Sequence, residues 1–107
     1  MMHRVERWRD VIQGATDEEA VARLMREYVA AIPAAQVAAL PPECQGALVD
    51  DDIQGAAITI LHCELSFMGE PTLAPLLHEI AHAYASASMR IARLVTEPMT
   101  TRSNSIG

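Results

Sequence analysis

A short link, Gly69-Glu70-Pro71, separates the two longest stretches of helical periodicity in this chain of 107 residues. Glycine favours the end of a helix and proline favours the first turn of the next one. We therefore expect one helix from about 51 to 68 and another from about 71 to 96. Pro75 offers an alternative start for the second helix, about four residues later. A link this short predicts that the two helices form an antiparallel hairpin.

The composition favours helices in the rest of the chain as well. Half of the residues are hydrophobic but only 4% are aromatic, and the better helix formers outnumber the residues that strands prefer. Apolar residues at helical spacing predict a first helix from about 3 to 13, with Gly14 as a left-handed C-cap. Thr16 and Glu19 match a capping box that would start a second helix, ending near residue 32.

Prolines divide the middle of the chain. Between Pro33 and Pro41-Pro42 there is room for about two helical turns, which predicts a short connector helix. We expect a surface loop from about 43 to 49. Asp50, Asp51 and Asp52 follow this loop. Aspartate is a favourable N-cap, so these residues predict the start of the first helix of the hairpin.

Together these elements predict an all-α fold, a small bundle of three to four main helices plus a short connector helix, with the antiparallel hairpin at its centre. We expect a single helical domain over residues 1–97. Pro98 is expected to end the last helix, and the polar segment 98–107 to be a mobile tail. The chain has two cysteines without metal-ligand spacing, and charged residues interrupt any apolar run near the N-terminus that could resemble a signal peptide. We therefore expect the protein to be located in the reducing cytoplasm.

Charge and hydropathy argue against two kinds of partner. The formal net charge of −6 is opposite to that of domains that bind nucleic acid by neutralising phosphates. The richest apolar run, 56–61, ends at His62 and falls short of the roughly 20 apolar residues that a membrane span requires. We therefore expect neither nucleic acid nor a membrane as a partner.

The stretch 51–68 is apolar over more than half of its helical circumference, which predicts that it is the central helix of the bundle. Glu64 lies within this apolar arc, in line with Ile60. Because an unpaired buried carboxylate costs several kcal/mol, we expect Glu64 to have a partner. The candidate partners are a backbone donor and the side chains of Arg4, Arg7, Arg23 and Tyr28.

The string His78-Glu79-Ile80-Ala81-His82 has the pattern H-E-x-x-H on a helix. It resembles the signature of the zincin metallopeptidases. The resemblance implies that His78 and His82 bind Zn²⁺ and that Glu79 is the general base on the metal-bound water. It covers five residues of the chain.

Several features argue against such a zinc site. Ala85 and Ser88 stand where the metzincin form of the signature has a glycine and a third histidine. Glu97 lies 15 residues after His82, which is about 22 Å along a continuous helix. No run of strands precedes the string, and both histidines are predicted to point away from the core face of their helix.

Three classes of function follow from these residues. We favour a non-enzymatic protein-interaction or adaptor module without a cofactor, which binds a second copy of itself or another protein, because one protomer cannot cover all of the apolar helix surface. The first alternative is a zinc-dependent hydrolase that uses residues 78–82. The second is a bundle centred on Glu64 that binds a small ligand or metal, with Glu79-x-x-His82 as half of a carboxylate-bridged di-iron site.

Overall fold

The structure is a computed structural model that describes the backbone of residues 4–106 and the side chains of residues 8–96. Over residues 4–106 it contains helices and no strand, which confirms the all-α fold. Six helices are present in this range instead of the expected three to four and a connector. They are α1 (Arg4–Gln13), α2 (Glu18–Ala30), α3 (Ala34–Ala38), α4 (Pro42–Leu48), α5 (Ile53–Ser66) and α6 (Ala74–Ile106).

The first two helices match the expected positions, but the capping of α2 differs. Asp17 is the N-cap, and its Oδ1 accepts a hydrogen bond from the amide of Ala20 at 2.7 Å. The predicted capping box between Thr16 and Glu19 is therefore wrong. Aspartate is as good an N-cap as threonine or better, so the helix begins one residue later.

The glycines that follow helices are not left-handed caps. Among the described residues no glycine has a positive φ, so this prediction is wrong for Gly14 and Gly69. Instead the amide of Gly14 donates to the carbonyls of Asp10 and Val11 at 3.2 and 3.1 Å. Helical hydrogen bonding thus continues into the turn, and no reversed backbone conformation is needed.

The segment expected to be a loop is the helix α4. Pro42 occupies its first turn, where the missing amide hydrogen costs nothing. Cys44, Ala47 and Leu48 are buried at the spacing of one helix face, and α4 packs against α5. The prediction was wrong because this tertiary contact stabilises a helix too short to be stable alone.

Of the two helices expected to form the hairpin, α5 begins near the predicted residue, whereas α6 begins later than residue 71. Asp52 caps α5, and its Oδ1 accepts from the amide of Gly55 at 3.1 Å. α6 begins at Ala74 with Pro75 in its first turn, so the alternative start is correct and the start at residue 71 is wrong.

α6 also continues past Pro98 to Ile106, so the expected end before Pro98 is wrong. A proline inside a helix removes one backbone hydrogen bond and bends the helix without necessarily ending it. The mobility of residues 98–107 and the limits of the domain stay predictions.

The core is built around α6. This helix packs most extensively against α5 and also contacts α1 and α2. Both tyrosines are buried, and most of the other core side chains are aliphatic. The largest fully buried side chains are Tyr28, Tyr84, Ile12, Met25, Ile60, Leu77, Ile80, Val21 and Cys44.

Polar contacts link α1 and the turn after it to α6. Gln13 Nε2 donates to the carbonyl and to Oγ of Ser86, at 3.1 and 2.9 Å. Arg90 donates from Nε and Nη2 to the carbonyl of the buried residue Ala15, at 2.9 and 2.8 Å. These contacts satisfy buried polar groups that the aliphatic core cannot.

Candidate functional site

Glu64 lies at the edge of α5, not in the core. Its side chain is 19% exposed, and its Oε2 lies 2.6 Å from Nδ1 of His78 on α6. The observed partner is therefore a histidine that was not among the candidates, and the side chains of Arg4 and Arg7 lie outside the described residues. At about 100° per residue, Glu64 is rotated about 40° from Ile60, which places it at the border of the core face.

His78 and His82 form the other part of this cluster. Their ring centroids are 4.3 Å apart in an edge-to-face arrangement, and the His78 side chain is 64% exposed. Both histidines face outward, as expected from the periodicity of α6. When Nδ1 of His78 carries the proton it donates to Glu64, which leaves Nε2 as an acceptor.

Glu79, the remaining defined residue of the H-E-x-x-H string, lies apart from the two histidines. Glu79 is half-buried and lines a cavity with Gln36, Leu73 and Pro75, on another side of α6 from the two imidazoles. Among the residues with described side chains, no group of three His, Cys, Asp or Glu residues has an arrangement that could hold a metal ion. The structure thus brings Glu64 and His78 into contact and separates Glu79 from them.

A row of large apolar side chains is exposed on α5 and on the turn after it. Its members follow one another at intervals of three, four and three residues, which is the spacing of a coiled-coil seam. We refer to this row as the α5 stripe. It consists of Ile58 (60% exposed), Leu61 (48%), Leu65 (59%) and Met68 (66%).

The α5 stripe is distinct from the core face of the same helix. The core face contains Ile53, Ala56, Ile60 and Cys63, all of them buried, and its centre lies on the order of 130° from that of the stripe. α5 therefore has two apolar faces and a narrow polar face. Sequence periodicity shows both faces as one wide apolar arc, so it predicts burial for side chains that the structure exposes.

α6 carries a second exposed row on the same side of the molecule. Its members are exposed, and the intervals between them alternate between four and three residues. They are His78, His82, Ala85, Met89 and Ala92. Glu64 borders the α5 stripe and contacts the first residue of this row. The α5 stripe and the outward face of α6 therefore adjoin.

A separate cavity of about 360 Å³ lies between α2, the connection from α4 to α5, and α6. Its apolar walls include Met25, Val29 and Ile53. Tyr84 also lines the cavity although this residue is only 1% exposed. Burial, together with the nearby Cys44 and Asp50, raises the pKa of Tyr84 to about 12, so the phenol keeps its proton at neutral pH.

The two cysteines meet inside the fold. Cys44 on α4 and Cys63 on α5 are free and buried, and each lies close enough to affect the pKa of the other. Burial, and then the neighbouring Cys63, raise the pKa of Cys44 to about 12; burial also raises the pKa of Cys63. Both groups therefore stay as thiols, which are poor nucleophiles and poor metal ligands.

Comparison with family models, with curated proteins and with solved structures finds no match to this chain. None of the helices in the described part of the chain is long and apolar enough to cross a membrane. Function is therefore inferred from the α5 stripe, the Glu64–His78 contact and the cavity beside Tyr84.

Proposed function

We propose that this chain is a non-enzymatic protein-interaction module that associates with a second copy of itself through the α5 stripe. The observation that carries the proposal is the exposure of four large apolar side chains at coiled-coil spacing. Single exposed apolar residues are common on protein surfaces, but a contiguous row of them is typical of a surface that another molecule covers.

The stripe has the length and polarity of a self-complementary surface. It extends from residue 58 to residue 68, or about 15 Å at the rise of a helix, and a second copy presents a row of the same length. The acid beside it, Glu64, is engaged by His78, so no unpaired carboxylate of that residue opposes the approach of another acidic chain. Ala85 and Ala92 in the adjoining α6 row are small enough to allow a partner helix to come close.

The size of the stripe predicts a weak dimer. Fully burying a Leu, Ile or Met side chain contributes about 1.5 to 3 kcal/mol. Since these four side chains are between 48% and 66% exposed, burying two copies of the stripe contributes roughly 10 kcal/mol. Association costs on the order of 4 kcal/mol or more, which leaves a dissociation constant in the micromolar to millimolar range.

Sedimentation equilibrium across that concentration range tests the proposal. Leu61→Glu places a charge in the centre of the stripe and should abolish self-association. Val11→Glu on α1 is the matched control, because Val11 is 47% exposed and Leu61 is 48% exposed. Helical circular dichroism of both variants should equal that of the unmodified chain.

Self-association that survives in Leu61→Glu, or that is lost equally in Val11→Glu, would place the interface elsewhere. An unmodified chain that stays monomeric into the millimolar range would overturn the homodimer, and the stripe would then have to serve a different protein.

The two metal-dependent alternatives have less support. His78 Nδ1 is engaged by Glu64, and Glu79 faces another cavity. Metal analysis of the purified chain tests both alternatives. Stoichiometric zinc that disappears in His78→Ala would favour the hydrolase, and iron would favour the Glu64-centred bundle.

A further inference from the structure

We propose that the cavity between α2, the α4–α5 connection and α6 is a binding site for a small apolar molecule that carries one ammonium group. The site is independent of the α5 stripe and shares no residue with it. Its volume of about 360 Å³ is within the range of ligand pockets. At about 30 Å³ per water-sized atom, it has room for roughly ten heavy atoms.

The walls select an apolar body. Met25, Val29 and Ala22 from α2 line one side, and Leu48 and Ile53 line another. Covering these side chains with a ligand removes apolar surface from water.

Tyr84 supplies a polar group at the base of the cavity. The residue is 1% exposed, and its side chain is part of the cavity lining. A ligand with a hydrogen-bond donor at this point would pair with the phenol oxygen.

The charges near Tyr84 select the sign of the ligand. Asp50 is close enough to act electrostatically on the phenol, and Asp50 and Asp51 both line the cavity. Asp50 Oδ1 accepts from the amide of Asp52 at 2.9 Å, which leaves Oδ2 for a ligand. Arg26 is the one cation among the lining residues and is itself exposed. Two carboxylates against one guanidinium favour a cation over an anion.

These groups define how the ammonium would bind. An ammonium group has three N–H donors and no acceptor. It can donate to the Tyr84 oxygen and to a carboxylate of Asp50 at once, while its apolar body lies against the α2 wall. The phenol, which keeps its proton, retains its own hydrogen as a donor to the second carboxylate or to water.

Isothermal titration calorimetry with three probes of the same aromatic body tests this assignment. The probes are 2-phenylethylamine, 2-phenylethanol and 3-phenylpropionate, which differ in charge. The full chain should bind the amine about tenfold more tightly than the alcohol, the ratio given by about 1.4 kcal/mol for one charge-assisted contact. The carboxylate should bind more weakly than the alcohol.

Variants separate the contributions. Asp50→Asn should remove the preference for the amine and leave the affinity for the alcohol unchanged. Tyr84→Phe should weaken amine binding several-fold, because it deletes the oxygen that accepts from the ammonium group, and its helical circular dichroism should equal that of the unmodified chain. Leu61→Glu should retain full binding, because the stripe lies elsewhere.

The proposal is overturned if none of the probes binds at millimolar concentration. Equal binding of amine and alcohol, with no effect of Asp50→Asn, would reject the ammonium group. Tighter binding of 3-phenylpropionate, or of the zwitterion phenylalanine, would assign Arg26 as the charged partner and would also reject it.

Discussion

Replacing Arg90 with methionine tests how strongly the turn after α1 depends on its contact with α6. Two N–H groups of Arg90 converge on the carbonyl of Ala15, at 2.9 and 2.8 Å. A hydrogen bond from a charged donor contributes about 1.5 to 3 kcal/mol. Because Ala15 is buried and the two bonds share one acceptor, we expect Arg90→Met to lower the free energy of unfolding by about 2 to 3 kcal/mol.

Arg93→Met is the matched control for this substitution. Arg93 is on the same helix, is exposed, and donates from Nη1 to Gln13 Oε1 at 3.3 Å. Both substitutions remove one positive charge from a chain of net charge −6. Methionine preserves the apolar stem and is a good helix former. We expect Arg93→Met to change stability by less than about 0.5 kcal/mol.

Urea unfolding of the three proteins, at one pH and salt concentration, measures both effects. Similar losses in the two variants would refute the reasoning, because they would show that net charge, and not the contact with Ala15, determines the effect. A loss below about 1 kcal/mol for Arg90→Met would show that water replaces the guanidinium at the Ala15 carbonyl.

Two further predictions concern the glycines inside α4 and α5 and the buried side chains of Tyr84 and Cys44. Gly46→Ala should stabilise the chain by up to about 1 kcal/mol, because a Cβ there meets nothing within 4 Å. Gly55→Ala should give no gain in urea unfolding, because its Cβ would lie 2.5 Å from Asp52 Oδ2 and displace the cap. In the unfolded chain the pKa of Tyr84 is 10.0 and that of Cys44 is 9.0, whereas in the folded chain both pKa values are about 12. Between these values only the unfolded chain loses the two protons. The free energy of unfolding should therefore fall from pH 9 to 12. Above pH 10, Tyr84→Phe should reduce the slope of the free energy of unfolding against pH by up to about 1.4 kcal/mol per pH unit. A slope equal to that of the unmodified chain would contradict the raised pKa of Tyr84.

Local signals in the sequence determined most of the helices. The aspartates before α5, the spacing of apolar residues in α1 and the proline in the first turn of α6 act within one or two turns of the residues they affect. The outward direction of His78 and His82 follows from the same periodicity, because the core face of α6 is continuous. These features could be predicted, since the hydrogen bonds and dihedral angles behind them are set by neighbours along the chain.

Tertiary packing decided the rest. α4 is too short to form a helix without α5 beneath it, and the cavity beside Tyr84 exists only where three separate parts of the chain meet. Periodicity shows that α5 is apolar on many sides, but not which of those sides the rest of the fold covers. The sequence therefore determined that α5 is a helix. Only the positions of the other helices decided that one apolar face is core and that the other is the exposed α5 stripe. They also decided that Glu64, between the two faces, contacts His78. The sequence alone could not show this, because burial depends on contacts between residues far apart in the chain.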